Sequence, residues 1–325
     1  MKDFLPSASI EMLRRRALLL KQLRRFFDER GFLEVETPLL SRDSVVDRHL
    51  DPLSVTLFDD ARRPEEGERR WLQTSPEFGM KRLLTAMVDA SGRDSVDLPA
   101  IYQITRAFRG GETGALHNPE FTIVEWYRVG DDYEAGMALL GELAHGVFGQ
   151  TAQRITFRQA FIEHAGFDPC GTWNHREIAQ EMSAVADRYA VLDYIHTTRV
   201  EPRLGRGRPT ILHDYPADQS ALAQVRQGDP PVAERFELYV NGVELANGYH
   251  ELLDPAVLLE RNRVNNHHRE ADGKYPLPEE SRLLEAMRHG LPACSGCALG
   301  FDRLVMVATG ASTVQEVMAF PSDRA

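Results

Sequence analysis

Phe108-Arg109-Gly110-Gly111-Glu112-Thr113-Gly114-Ala115-Leu116-His117-Asn118-Pro119-Glu120-Phe121 is the stretch whose reading decides the fold. It lies between two strand-like runs, residues 101–108 and 121–128, and its glycines make it the flexible tip of a long hairpin. Arg109 closes the first strand beside that tip. No Gly-x-x-x-x-Gly-Lys-Ser/Thr and no Gly-x-Gly-x-x-Gly follows a strand anywhere in the chain, so a phosphate-bearing ligand has to be held by arginines. Arg303 follows Gly300 near a helix start, where a phosphate also meets the helix dipole. Together the two guanidiniums suit a triphosphate. Either one alone reads equally well as a surface ion-pair residue.

Outward from the hairpin, Ser9 is a plausible cap for a helix carrying Ile10, Leu13, Ala17, Leu20 and Phe27 at helical spacing, with Gly31 as its terminator. Residues 32–38 alternate like a half-buried strand stopped by Pro38. Residues 59–70, charged and interrupted by Pro64 and Gly67, read as an exposed loop. Ser75-Pro76-Glu77 opens a helix with Pro76 in its first position. Residues 131–195 are mostly helical in character, and 199–210 form an irregular connection. Strand signals return at 211–213 and 236–240, followed by the turn Asn241-Gly242. Residues 256–290 are again helical. Strands joined by hairpins and separated by long helical insertions predict an α+β domain spanning 1–325, with a helical insertion at roughly 131–210 and no boundary between two domains.

The acidic spacing Glu237…Glu244…Glu251 has Asn241-Gly242 turning the chain between its first two members. A hairpin there places Glu237 and Glu244 opposite one another, and opposed carboxylates repel unless a cation lies between them. Magnesium bound to a nucleotide meets that need through oxygen ligands. Glutamates pointing into water from an exposed hairpin are the alternative. Glu77, Glu125 and Glu251 stand beside small or apolar neighbours. Buried carboxylates are costly unless paired, so their natural partner is a ligand with ammonium groups.

Composition sets the outer bounds. The 325 residues are 42% hydrophobic and 27% charged, an ordinary globular balance, with 49 acidic against 38 basic side chains and a net charge of −11. That sign argues against nucleic acid, tRNA included, as the main partner. No apolar run reaches the ~20 residues of a membrane span, which argues against a membrane partner. Three cysteines fit a reducing cytoplasm. Cys294 and Cys297, without a second pair, read as two thiols in the core before a zinc or redox site.

These segments match a known family in order. Residues 31–38 resemble motif 1 of class II aminoacyl-tRNA synthetases. Phe108-Arg109, His117-Asn118-Pro119-Glu120-Phe121 and Glu125-Trp126-Tyr127 resemble motif 2 of the lysine-specific branch, and Ala298-Leu299-Gly300-Phe301-Asp302-Arg303 resembles motif 3. Ser75-Pro76-Glu77 and Glu244-Leu245-Ala246-Asn247-Gly248 fit the same branch. The helix before motif 1 begins within about ten residues of Met1, where that branch carries an anticodon-binding domain. In this respect the chain is similar to the truncated paralogues that attach (R)-β-lysine to a lysine of translation elongation factor P. Ala298, where lysyl-tRNA synthetases have glycine, agrees with them.

The resemblance implies a central antiparallel sheet flanked by helices, ATP and Mg2+ as cofactors, and a homodimer formed around Pro38. It implies that Arg109 touches the α-phosphate and substrate carboxylate, with His117, Asn118 and Arg303 on the phosphate tail. It further implies Phe121 stacked on adenine, Gly300 admitting the nucleotide close to the backbone, and Glu244 with Leu245 beside it. Glu237 and Glu244 hold magnesium. Ser75, Pro76 and Glu77 surround the backbone-side ammonium, while Glu125, Tyr127, Asn247, Glu251 and Ala298 line the rest of a lysine or (R)-β-lysine pocket. The family's motif 2 places a glutamate where this chain has Gly111, so the adjacent Glu112 is expected to supply that carboxylate. The alternatives are a minimal lysyl-tRNA synthetase and a catalytically dead regulator that binds amino acid or nucleotide.

Overall fold

The computed structural model describes residues 4–91, 99–173 and 188–325. They fall into two compact units, one made of Met1–Gly130 with Leu252–Ala325 and the other of Asp131–Glu251.

The first unit begins with helix α1 (Ile10–Asp28), whose Ser9 hydroxyl accepts the Met12 N–H at 3.1 Å. Its inner face is narrow: Leu23 and Phe27 are buried, and Phe27 stacks on Tyr102 with ring centroids 4.6 Å apart. Gly31, at φ +75°, turns the chain into strand β1 (Leu33–Glu34). This strand is much shorter than the alternation of 32–38 predicts. It pairs in parallel with β5 (Ala100–Phe108) over two residues, and one further bond, Val35 N–H to Tyr102 O, ends the pairing. A small separate sheet is built from β2 (Leu40–Ser41), β4 (Glu68–Leu72) and β3 (Ser54–Leu57) in that order. Residues 68–70 are therefore strand instead of loop. The turn before them needs Gly67, since a Cβ there would lie 2.4 Å from Leu57 O. Helix α2 (Glu77–Ser91) starts one residue after Pro76.

The frame of this unit is the antiparallel run β5–β6–β12, with β6 at Glu120–Val129 and β12 at Cys294–Gly300. Helices α6 (Pro255–Ala271), α7 (Arg282–Gly290) and α8 (Phe301–Thr309) complete it. Cys294 and Cys297 lie buried and unbridged in β12.

The second unit holds α3 (Tyr133–Phe148), β7 (Gln153–Thr156), α4 (Phe157–Ala165) and α5 (Arg188–Ile195). After them come β8 (Thr210–Pro216), β9 (Val225–Arg226), β10 (Val232–Val240) and β11 (Val243–His250). Strands β11, β10 and β8 are antiparallel neighbours, and β7 joins β8 in parallel. The insertion expected to be helical thus also contributes a sheet strand; residues 174–187 of it lie outside the described residues. Phe157, Phe161, Ile195, Leu212, Tyr215 and Tyr239 form this unit's apolar core. The fold is α+β, and its sheet strands are mixed, with parallel pairs at β1–β5 and β7–β8 beside the expected antiparallel ones. Among the described residues no helix is long and apolar enough to cross a membrane.

Candidate active site

The β5–β6 hairpin runs in register from Ala100 opposite Arg128 to Phe108 opposite Glu120, leaving residues 109–119 as its tip. The tip is fixed by backbone contacts. Gly110 N–H donates to Asp51 O at 2.6 Å, and a Cβ at Gly110 would meet that oxygen at 3.2 Å. Gly111 sits at φ +78° with open space around it, so its conformation, not crowding, requires glycine. Arg109 donates through Nε to Thr74 O at 3.3 Å and lies over the Phe121 ring, 4.9 Å from its centroid. Glu112 approaches Arg109 at 3.8 Å.

Arg303 reaches the same tip from the first turn of α8. Its Nε donates to Leu116 O at 3.1 Å, and its Nη2 donates to His117 Nε2 at 2.6 Å. Burial, then the charges of Arg303 and Arg109, pull the His117 pKa down against the opposing pull of Glu112. The imidazole is therefore a neutral acceptor between two guanidiniums. Arg109, Glu112, His117, Phe121 and Arg303 form one connected group. Asn118 is buried and spent internally: its amide donates to Glu120 O at 2.6 Å and accepts from Ser322 N–H at 3.0 Å.

The start of α8 is anchored by Asp302, which is 3% exposed. Its carboxylate takes Arg16 at 2.6 Å and the Thr122 N–H at 2.6 Å, while Arg16 also lies over the Phe301 ring. Gly300 is the residue before the helix and pairs with Ile123 in the β12–β6 ladder.

A second group adjoins the first through residues 74 and 75. Ser75 donates its hydroxyl to Glu125 at 2.6 Å and accepts the Glu77 N–H at 3.1 Å. Tyr127 donates to the other oxygen of Glu125 at 2.6 Å. Ala298 and Gln103 flank Glu125 directly on the neighbouring strands. Glu125 is 1% exposed, and burial followed by the Glu77 charge pushes its carboxyl up to about 7, against the lowering effects of Ser75, Tyr127 and Lys81. Lys81, one turn along α2 and 2% exposed, donates to Glu77 at 2.5 Å. Pro76 makes the turn and offers its carbonyl to Met80 N–H.

In the second unit the acidic hairpin differs from its expected register. Asn241 (φ +55°) and Gly242 (φ +77°) make the turn. Glu244 lies opposite Tyr239, and Glu237 lies opposite Asn247, not opposite Glu244. The two-residue turn itself sets Tyr239 opposite Glu244, and beyond that pair a bulge, with Leu245 as the extra residue on β11, brings Glu237 opposite Asn247. The bulge resets the alternation, so Glu244 and Asn247 share a face with Glu237 and Tyr239. Glu237 accepts from Arg235, Tyr215 and Tyr239. Although burial pushes its carboxyl up, Arg235, His196 and the two phenols outweigh it and hold the pKa below the usual range. Asn247 has a buried side-chain oxygen without a partner. Glu251 is buried and bridges to Ala223.

Pairings between distant parts of the chain escape a reading of the sequence. Arg16 and Asp302 lie far apart in the chain, and nothing local marks them as partners. The tyrosines around Glu237 come together only through β8. Lys81 was detectable, since it follows Glu77 by four residues on a helix. Among the described residues no group of three or more His, Cys, Asp or Glu is placed to hold a metal. A family model described as tRNA synthetases class II (D, K and N) matches residues 3–324.

Proposed function

The chain belongs to the class II tRNA synthetases (D, K and N), ATP-dependent ligases that activate an amino acid, and on that premise we propose that it adenylates a lysine-like amino acid, (R)-β-lysine, and transfers it to a lysine of translation elongation factor P. One observation carries the substrate class. Glu77 and Glu125 are both buried, and Lys81 is the one cation bonded to either of them among the described residues. Of the three side-chain types the family handles, a cationic one fits this surplus, whereas the anionic aspartate side chain is repelled.

The substrate carboxylate attacks the α-phosphorus of ATP, the bond to pyrophosphate breaks, and a mixed anhydride with AMP forms. Arg109 and Arg303, the latter bonded to the neutral His117, neutralise charge on the phosphates, and Phe121 offers a face to adenine. Glu112, already beside Arg109, takes the carboxylate role that Gly111 lacks. Gly300, the last residue of β12 and the one before the helix that carries Arg303, leaves room for the nucleotide. Class II synthetases use magnesium, and the oxygen donors here fit it: Glu237, Glu244 and the unpartnered Asn247 oxygen share one face. Two carboxylates completed by phosphate oxygens are its usual setting. When bound, magnesium supplies positive charge to the phosphates. Leu245, the bulged residue, brings Asn247 onto the face of Glu237.

In the second step the acceptor amine attacks the carbonyl, AMP leaves, and the amine loses its surplus proton to solvent. Ala298, directly opposite Glu125, supports β-lysine over lysine because its methyl takes space that glycine leaves open. The net charge of −11 supports a protein acceptor over tRNA. We read both compact units as parts of one catalytic domain, acting as a homodimer through the exposed segment around Pro38. ATP–pyrophosphate exchange with lysine and with (R)-β-lysine tests the proposal. Exchange is expected with both and faster with (R)-β-lysine; exchange with aspartate or asparagine alone would overturn it.

A further inference from the structure

We propose that Lys81 is a specificity-setting residue: a built-in counter-cation that cancels one of the two carboxylates, so that the Glu77–Glu125 pair admits one ammonium group. The inference rests on the amine-recognition reading above and gives Lys81, there only a count in the charge balance, a role of its own.

The geometry is local. Lys81 Nζ donates to Glu77 and lies 5.7 Å from the centroid of the Tyr127 ring, whose hydroxyl donates to Glu125. Ser75 ties the Glu125 carboxylate to the start of α2, accepting from the Glu77 backbone N–H and donating to Glu125. The side chains facing Glu125 are Glu77 and Lys81 from α2, Ser75 from the turn before it and Tyr127 on the same strand. Gln103 on β5 and Ala298 on β12 are uncharged, and Gln103 is engaged by the Thr37 hydroxyl at 2.9 Å. With both acids ionised the group carries two negative charges and one positive.

A burial as complete as this, 2% exposure for an ammonium, is rare without a pairing role. An exposed lysine at this position would have left Glu125 facing Glu77 alone. The Lys81 charge favours the ionised form of Glu125, the form that receives an ammonium. Removing it therefore weakens amine binding at low pH by raising the Glu125 pKa. The same removal takes away a repulsion between Lys81 and the incoming ammonium, which favours binding once the pH is high enough to ionise Glu125. The two effects have opposite sign and predict a crossing, which a purely structural role does not.

The test measures KM for lysine by ATP–pyrophosphate exchange across pH in wild type, K81Q and K81R. K81Q keeps a donor for Glu77 without charge, and K81M replaces it should K81Q not fold. The KM limb of K81Q is expected to shift up by about one pH unit, a roughly tenfold rise near pH 6. Near pH 9 its KM should equal or fall below wild type, while kcat and the KM for ATP stay within about twofold and K81R restores the wild-type profile. A second readout needs no variant: amine binding near neutral pH should release protons, measured calorimetrically in two buffers. A K81Q or K81M KM raised equally at all pH values, or no proton release, overturns the inference. A wild type showing no exchange with any cationic amino acid overturns the underlying reading instead.

Discussion

Replacing Glu125 by glutamine removes the group whose titration the structure perturbs most informatively. In the folded protein its carboxyl is pushed from 4.5 to about 7, first by burial and then by Glu77. At about 1.4 kcal/mol per unit this corresponds to about 3 kcal/mol of pH-dependent stability. Its sign follows from proton counting. Between the two pKa values the folded state holds the proton and the unfolded state does not, so unfolding becomes easier as pH rises. The contribution is fully present below 4.5 and is lost as pH rises through about 7. E125Q carries no such term. Urea denaturation of both proteins at about pH 5 and about pH 8.5 isolates it, because any fixed effect of the amide cancels between the two conditions. Relative to wild type, E125Q should gain about 2–3 kcal/mol across that interval. A difference that stays constant with pH would refute both the buried, unneutralised carboxyl and the charge deficit built on it.

Other perturbations follow from the same contacts. D302A should lose about 3–5 kcal/mol in denaturant melts, because it leaves Arg16 buried without its carboxylate and Thr122 N–H without an acceptor. G111A should cost about 1–2 kcal/mol by placing a side chain at φ +78°, and should raise the KM for ATP in pyrophosphate exchange. G110A pushes a methyl to 3.2 Å from Asp51 O, so the KM for ATP should rise while the KM for the amino acid holds. R303M should lower kcat/KM by about 2–4 kcal/mol equivalent in the same assay, with folding judged by thermal melting.

Much of this was legible because it is local. The Ser9 cap, the Asn241-Gly242 turn and the strands around residues 109–119 are signalled within a few residues of where they occur. The α+β class followed from their alternation. Long-range pairing was not legible. The strand expected at 32–38 shrinks because its partner β5 accepts only two residues in parallel register. Glu237 and Glu244 are not opposed because a turn made by Asn241 and Gly242 alone already sets Glu244 opposite Tyr239. The bulge at Leu245, invisible in a spacing of seven, then moves Glu237 opposite Asn247. Lys81 shows a different limit. The carboxylates were read as awaiting a ligand, yet one of them already holds a cation from its own helix.

The proposed delivery of the activated amino acid to a protein lysine is read out by mass spectrometry of the acceptor. The protein is incubated with ATP, (R)-β-lysine and translation elongation factor P, with lysine tRNA present in a parallel reaction. A gain on one lysine of the elongation factor equal to one β-lysyl residue is expected, with no charged tRNA. An unmodified elongation factor beside lysylated tRNA would contradict it.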